Sequence, residues 1–278
     1  MKYSITLASF RKLEPLEETL PKLARQGYDA VEMYGEPADL DLSKLKDVFG
    51  TFHLPVCGIT GMWGSASKHG WERLLSSSNQ DLVRTSMSYV QDCIKMCNSL
   101  GGREMNVCLF ADEITGFDRT HAILPDIEKE KFRKRAVPML SDLCHFAKDN
   151  GVQLVLEPLN RYSTPYCCSA KDAIDIIREV NTESLGILLD TFHMNIEEDS
   201  FEYPIRMTGM ALKHTHFADN NRKMPGFAHI DFTTIVRSLH EIGYDGYISF
   251  EPNIAEKNYE HAVNTGLEFI KNKVEALR

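Results

Sequence analysis

The chain reads as an α/β protein folded into a single (β/α)8 TIM barrel, and three observations predict it. Its 278 residues match the roughly 250 that such a barrel needs. Short β-like runs alternate with amphipathic helical segments along the whole length, the pattern of parallel βα units. Four of the later apolar runs, VQLVLE, LGILLD, ALKHTH and YISFE, end on Glu157, Asp190, His216 and Glu251. A carboxylate closing a buried strand is costly unless something there uses its charge.

Eight strand–helix pairs follow in order. Residues 3–8 form the first strand and 16–26 its helix, with Gly27 as the stop. Strand two covers 30–34 and brings Glu32 and Tyr34 near its end; helix 42–52 follows. After strand three (56–60), the segment 61–79 is rich in Gly and Ser and holds Trp63, His69 and Trp71. It lies where barrels carry substrate-facing loops, so it reads either as a lid or sugar-stacking wall or as an ordinary surface loop with aromatic anchors. A long helix from Asp81 to about Leu100 precedes strand four (105–110) and a polar loop (112–128). Helix 131–148 contains Pro138, which should bend it or shift its start. Strand five (152–156), helix 170–180 and strand six (185–189) come next. The helix after strand six is least distinct, with 203–210 the best candidate. Strand seven (211–216) leads to Asp231, an N-cap for helix 232–242, whose Phe232, Ile235, Val236, Leu239 and Ile242 share one face. Strand eight (247–250) and helix 259–277 close the ring. No linker or composition shift interrupts the chain, so one domain over 1–278 is expected.

Composition narrows the function classes. An apolar fraction of 43% with 26% charged residues excludes disorder as the default. A net charge of −9 argues against nucleic acid or an anionic membrane as partner, since both need clustered Lys and Arg. The N-terminus lacks a secretory apolar region and no run approaches the ~18 apolar residues of a membrane helix, so a cytoplasmic protein is expected. Seven cysteines form no disulfide framework and read mostly as buried thiols. Cys93 and Cys97, four apart on a helix, could pair as soft ligands, but packing is the better reading without a CxxC or a nearby His.

The strand-end residues are separated by 33, 26 and 35 residues, close to the ~31 per unit of an eightfold barrel. They therefore fall one per repeat on the C-terminal rim, where barrel enzymes place their sites. Three carboxylates brought together need a cation to neutralise them. Oxygen donors with one imidazole and no thiolate favour Mn²⁺, with Co²⁺ or Mg²⁺ also suited, over structural Zn²⁺. Beyond the ligands, His193, Arg222, Asn160 and Arg161 are hydrogen-bonding groups suited to substrate hydroxyls, and Trp63 and Glu32 complete the candidate substrate contacts. His214 shares a strand face with His216 and reads as a supporting histidine rather than a fifth ligand.

LEPLNRY at Glu157, LLDTFHMNIEE at Asp190, KHTHFADNNRKMPG at His216 and SFEP at Glu251 resemble the sugar isomerase/epimerase superfamily of xylose isomerase-like barrels. Within it, they are similar to the D-tagatose 3-epimerase and D-psicose (allulose) 3-epimerase group. The resemblance implies that Glu157, Asp190, His216 and Glu251 hold the metal, that Glu157 and Glu251 are also the proton-transfer pair, and that His193 and Arg222 bind substrate hydroxyls. It implies a small sugar as partner and a homodimer or homotetramer as the assembly. One position departs: where those epimerases usually carry a second glutamate six residues after the first, this chain has Ser163.

The expected chemistry is inversion at C3 of a ketose. With the C2 carbonyl polarised by the metal, one glutamate removes the C3 proton to leave an enediolate and the other returns a proton to the opposite face. Reprotonation at C2 instead yields an aldose, so an isomerase of the hydroxypyruvate or xylose type is the nearest rival. A lyase or hydratase of 3-keto-glycosides would use the same intermediate, although relatives cleaving C-glycosides tend to carry His where this chain has Leu159. An apurinic endonuclease would need many more His ligands, and a non-catalytic sugar-binding barrel would need no pair of bases.

Overall fold

Eight parallel strands close on themselves in chain order: β1 (Lys2–Thr6), β2 (Ala30–Gly35), β3 (Val56–Gly61), β4 (Glu104–Val107), β5 (Gln153–Leu156), β6 (Leu185–Asp190), β7 (Leu212–Phe217) and β8 (Tyr247–Phe250), with β8 paired to β1. This computed structural model describes residues 1–114, 117–118 and 123–277. The helices are α1 (Leu16–Gln26), α2 (Leu42–Phe52), α3 (Gln80–Ser99), α4 (Asp126–Asp149), α5 (Ala170–Val180), α6 (Thr191–Glu197), α7 (Glu202–Thr208), α8 (Phe232–Glu241) and α9 (Glu260–Glu275). The fold is thus the expected (β/α)8 barrel.

Local chemistry sets the element ends. Gly27 stops α1 at φ +84°, a left-handed position costly for residues with a Cβ. Asp231 caps α8 by accepting the Thr233 and Thr234 amides, and Phe232, Ile235, Val236 and Leu239 bury one face of that helix. Each such side chain contributes about 1.5–3 kcal/mol. Ile242, expected on that face, lies just past the helix as its C-cap.

Two helices differ from expectation. α4 begins at Asp126, five residues before the predicted start, because Asp126 and Glu128 favour a helix N-terminus even though the first turn has no apolar periodicity. It runs through Pro138, which removes one amide donor without ending the helix. After β6 there are two short helices rather than one, and the first starts directly at the strand end. The predicted loop 112–128 lies partly outside the described residues. Among the described residues no helix is long and apolar enough to cross a membrane. All seven cysteines are buried and free, and burial pushes the Cys93 and Cys97 thiols up to about 12.

The lumen, by contrast with the strand–helix interface, is polar. Thr6, Glu32, Thr60, Asn106, His214 and His216 are all buried and hydrogen-bond with one another or with the rim.

Candidate metal centre and active site

Parallel register delivers the strand ends to one level. Asp190 is paired with His216 across β6 and β7, while Glu157 and Glu251 follow β5 and β8 directly and donate their amides to the Val107 and Phe217 carbonyls. One ligand atom from each of Glu157, Asp190, His216 and Glu251 lies within 4.8 Å of the others. The structure therefore brings together all four residues proposed from spacing.

Each member is oriented by a neighbour. Asp190 caps α6, its Oδ1 accepting the Phe192 amide at 2.8 Å, which leaves Oδ2 toward the cluster. Asn106 donates from Nδ2 to Glu157 Oε2 while its Oδ1 accepts the Gly61 amide at 3.1 Å. His216 turns Nε2 to Glu32 Oε2 at 3.2 Å and Nδ1 toward Glu251 Oε2 at 3.1 Å and Glu157 Oε1 at 3.8 Å. The Arg222 guanidinium donates to both Asp190 Oδ2 and Glu251 Oε2 and lies over the Phe192 ring.

Burial and charge compete here. Burial raises the Asp190 carboxyl above its ordinary range despite Arg222 and His193. Burial alone would raise Glu251 too, but Arg222 and His216 outweigh it and carry its pKa down to about 2. Burial disfavours the His216 cation, yet Glu251 and Glu32 hold its pKa well above the usual imidazole value. For His193, burial prevails and lowers the pKa.

Glu157 Oε1 and His216 Nδ1 are buried and complete no hydrogen bond. Three carboxylates and one imidazole, two of them with unsatisfied donor atoms, fit a divalent cation of the Mn²⁺, Co²⁺ or Mg²⁺ kind. The nearby Cys108 thiol sits 3.5 Å from Glu157 Oε2; burial and that carboxylate push its pKa up, so it is a donor to Glu157 rather than a thiolate ligand.

Above the cluster opens a cavity of about 740 Å³, lined in part by Trp63, Glu157, His193, Arg222, Phe110 and Glu251. Trp63 is buried in its wall with its ring edge against Tyr89. His193 Nδ1 accepts the Asn160 backbone amide at 3.1 Å, which places its proton on Nε2. That nitrogen lies 3.9 Å from Glu157 Oε1 and 3.8 Å from Asp190 Oδ2.

Other residues singled out in the sequence lie elsewhere. Glu32, expected among the substrate contacts, is a correction: it is 2% exposed, does not line the cavity, and both its oxygens are engaged by His214, His216 and Thr60. A strand-two glutamate pointing into a polar lumen reaches histidines before it reaches solvent. Arg161 faces Glu197 in a bidentate pair, and His69 lies beside Glu72, outside the cavity lining.

Sequence reasoning missed Asn106 and Asp219. The latter is fully buried and accepts the Asn220, Gly226, Ala228 and Ile230 amides, shaping the loop that carries Arg222, whose φ is +59°. The Asp followed by a Gly- and Pro-containing stretch is the one signal that pointed to such a turn.

Fold and site together define a (β/α)8 barrel protein with a candidate divalent-metal centre on its C-terminal rim. The chain belongs to the xylose isomerase-like TIM barrel family, whose pattern matches residues 20–273. It is 30% identical over 238 residues to the D-psicose 3-epimerase of Ruminiclostridium cellulolyticum, covering 84% of this chain and 76% of that one. It is 24% identical over 262 residues to the 3-dehydro-D-guloside 4-epimerase of Escherichia coli strain K12, covering 93% and 95%. The crystal structure of the D-psicose 3-epimerase of Clostridium cellulolyticum H10 with D-tagatose superposes with a TM-score of 0.82 over 99% of each chain at 24% identity, a likeness of fold.

Proposed function

We propose that this protein is a divalent-metal-dependent sugar epimerase that inverts C3 of a ketose, with Glu157 and Glu251 as its proton-transfer pair. The observation that carries the reading is that these two glutamates enter one cluster from separate strands, β5 and β8, at the floor of a cavity large enough for a sugar. A bound divalent cation would supply Lewis-acid polarisation of the substrate carbonyl. Glu157, Asp190, His216 and Glu251 would hold it. One glutamate takes the C3 proton and the other returns a proton to the opposite face. His193 Nε2–H donates to a substrate oxygen, Arg222 steadies Asp190 and Glu251, and Trp63 gives the sugar an apolar wall.

One observation favours a second reading, in which the substrate is a 3-keto-glycoside. Ser163 stands six residues after Glu157 and lines both the central cavity and an adjoining one of about 760 Å³ with Trp71, Phe110 and Tyr166. A side chain shorter than glutamate there leaves room for a group attached to the sugar. The relative acting on a 3-dehydro-guloside is in keeping with this.

NMR of the Mn²⁺-loaded protein in D₂O tests both. Deuterium at C3 of a free ketohexose together with its C3 epimer supports the epimerase. Exchange accompanied by an aldose would replace it with an isomerase. Exchange confined to 3-keto-glycosides would favour the second reading, and no exchange on either class would sink both.

A further inference from the structure

His216 does not stand alone in the lumen. His214 lies on the same face of β7 with its ring 5.4 Å from that of His216, and Glu32 reaches between them from β2. Its Oε1 is 2.8 Å from His214 Nε2 and its Oε2 is 3.2 Å from His216 Nε2. Thr60 donates to Glu32 Oε2 at 2.9 Å and is itself 3.0 Å from Thr6 Oγ1, so the carboxylate is held from β3 as well as from β7. His214 Nδ1 then lies at ion-pair distance, 2.7 Å, from Glu104 Oε2, although neither atom completes a hydrogen bond. Glu104 begins β4 at the other end of the barrel, where its side chain is 22% exposed and lines a surface crevice with Arg103, Lys148 and Gln153.

We infer that Glu104, His214 and Glu32 form a positioning column that runs down the barrel axis and aims His216 Nδ1 at the metal ligands. The column rests on the metal centre proposed above. An ionised carboxylate only accepts hydrogen bonds, so Glu32 requires the proton of His216 on Nε2. That leaves Nδ1 as the ring nitrogen facing Glu157 and Glu251. His214, held between two carboxylates, anchors Glu32 in turn, and the anchor ends at solvent on the opposite face.

Glu32, His214 and His216 also lie close enough to hold a cation of their own. The column reading assigns them to each other instead, because each already meets another member at hydrogen-bond distance.

Co²⁺ titration of the metal-free protein, followed by calorimetry and by the visible absorption of the bound ion, separates these readings. The wild-type chain should take one equivalent. Glu32→Gln should weaken Co²⁺ binding roughly 10–100-fold, the effect typical of residues that orient a ligand, and should shift the Co²⁺ bands. Glu104→Gln, changed at the solvated end where folding is least at risk, should weaken binding by a smaller factor while leaving the melting temperature of the metal-free protein unchanged. Co²⁺ affinity and spectrum identical to wild type in both variants would overturn the column. So would a second Co²⁺ equivalent that disappears in His214→Gln. Failure of the wild type to bind Co²⁺ or Mn²⁺ would remove the metal reading and the column together, whereas a wild type that binds with unaffected variants sinks the column alone.

Discussion

The two halves of the barrel contribute to the site in different ways. β5 to β8 deliver Glu157, Asp190, His216 and Glu251 to one point. β1 to β4 deliver Thr6, Glu32, Thr60 and Asn106, which stay out of the cluster and hold its members: Asn106 on Glu157, Glu32 on His216, Thr60 on Glu32, and Thr6 on Thr60. A carboxylate or imidazole left unsupported in a lumen has several rotamers open to it, and only one points at its partners. The comparison teaches that the ligand half fixes what chemistry is available, and the supporting half fixes whether the groups face each other when it is needed.

The largest effect should come from the ligand half. Glu251→Gln keeps the shape of the side chain and removes its ability to carry a proton, so turnover should fall by about 10²–10⁴-fold, with sugar binding retained. Steady-state kinetics beside calorimetric titration of substrate would check it, and turnover within a factor of a few of wild type would dismiss Glu251 as a proton carrier.

Asp219 extends the comparison to the loops. Asp219→Asn replaces a buried carboxylate that gathers four amides with a group that must turn one donor toward them, at a cost of about 2–3 kcal/mol. Urea denaturation should show that loss, along with weaker substrate binding as Arg222 shifts. An unchanged midpoint would mean that the loop is held by other contacts.

Asn106→Asp probes the supporting half. It exchanges the amide donor on Glu157 for a second carboxylate, and metal affinity should drop roughly 10–100-fold. Should Mn²⁺ bind the variant as well as it binds wild type, the division between ligand half and supporting half would not hold for β4.

Much of this was legible in the sequence, for a physical reason. Glu157, Asp190, His216 and Glu251 each end a continuous apolar run, and a parallel barrel converts equal spacing along the chain into convergence in space. His193 and Arg222 stand out as candidates in the sequence because they follow those strands closely. Glu32 was misread and Asn106 missed because polar residues within short barrel strands carry no mark of which face they take or what they meet. Their partners are distant in the chain: Glu32 and His214 are 182 residues apart. α6 was missed because its cap is Asp190, and a residue that ends a strand, starts a helix and joins the cluster shows only one of those roles in a pattern.

The smallest effect should come from a residue outside both parts of the site. Asp231 caps α8, accepting the Thr233 and Thr234 amides and the Thr234 hydroxyl. That hydroxyl, followed by the two amides, outweighs slight burial and lowers its pKa. Because the folded value lies below the unfolded one, the contribution is fully present above the unfolded carboxyl pKa of about 3.9 and is lost as pH falls through the folded pKa. Asp231→Ala should cost about 1 kcal/mol near neutral pH. The difference from wild type should shrink toward zero in strong acid, as measured by urea denaturation across pH. Since α8 packs on the outside of the barrel through Phe232, Ile235, Val236 and Leu239, Co²⁺ affinity should not move. A cap variant that weakened the metal as much as Asn106→Asp does would show that affinity tracks global stability, and would remove the reason for assigning the lumen residues of the first half a role of their own.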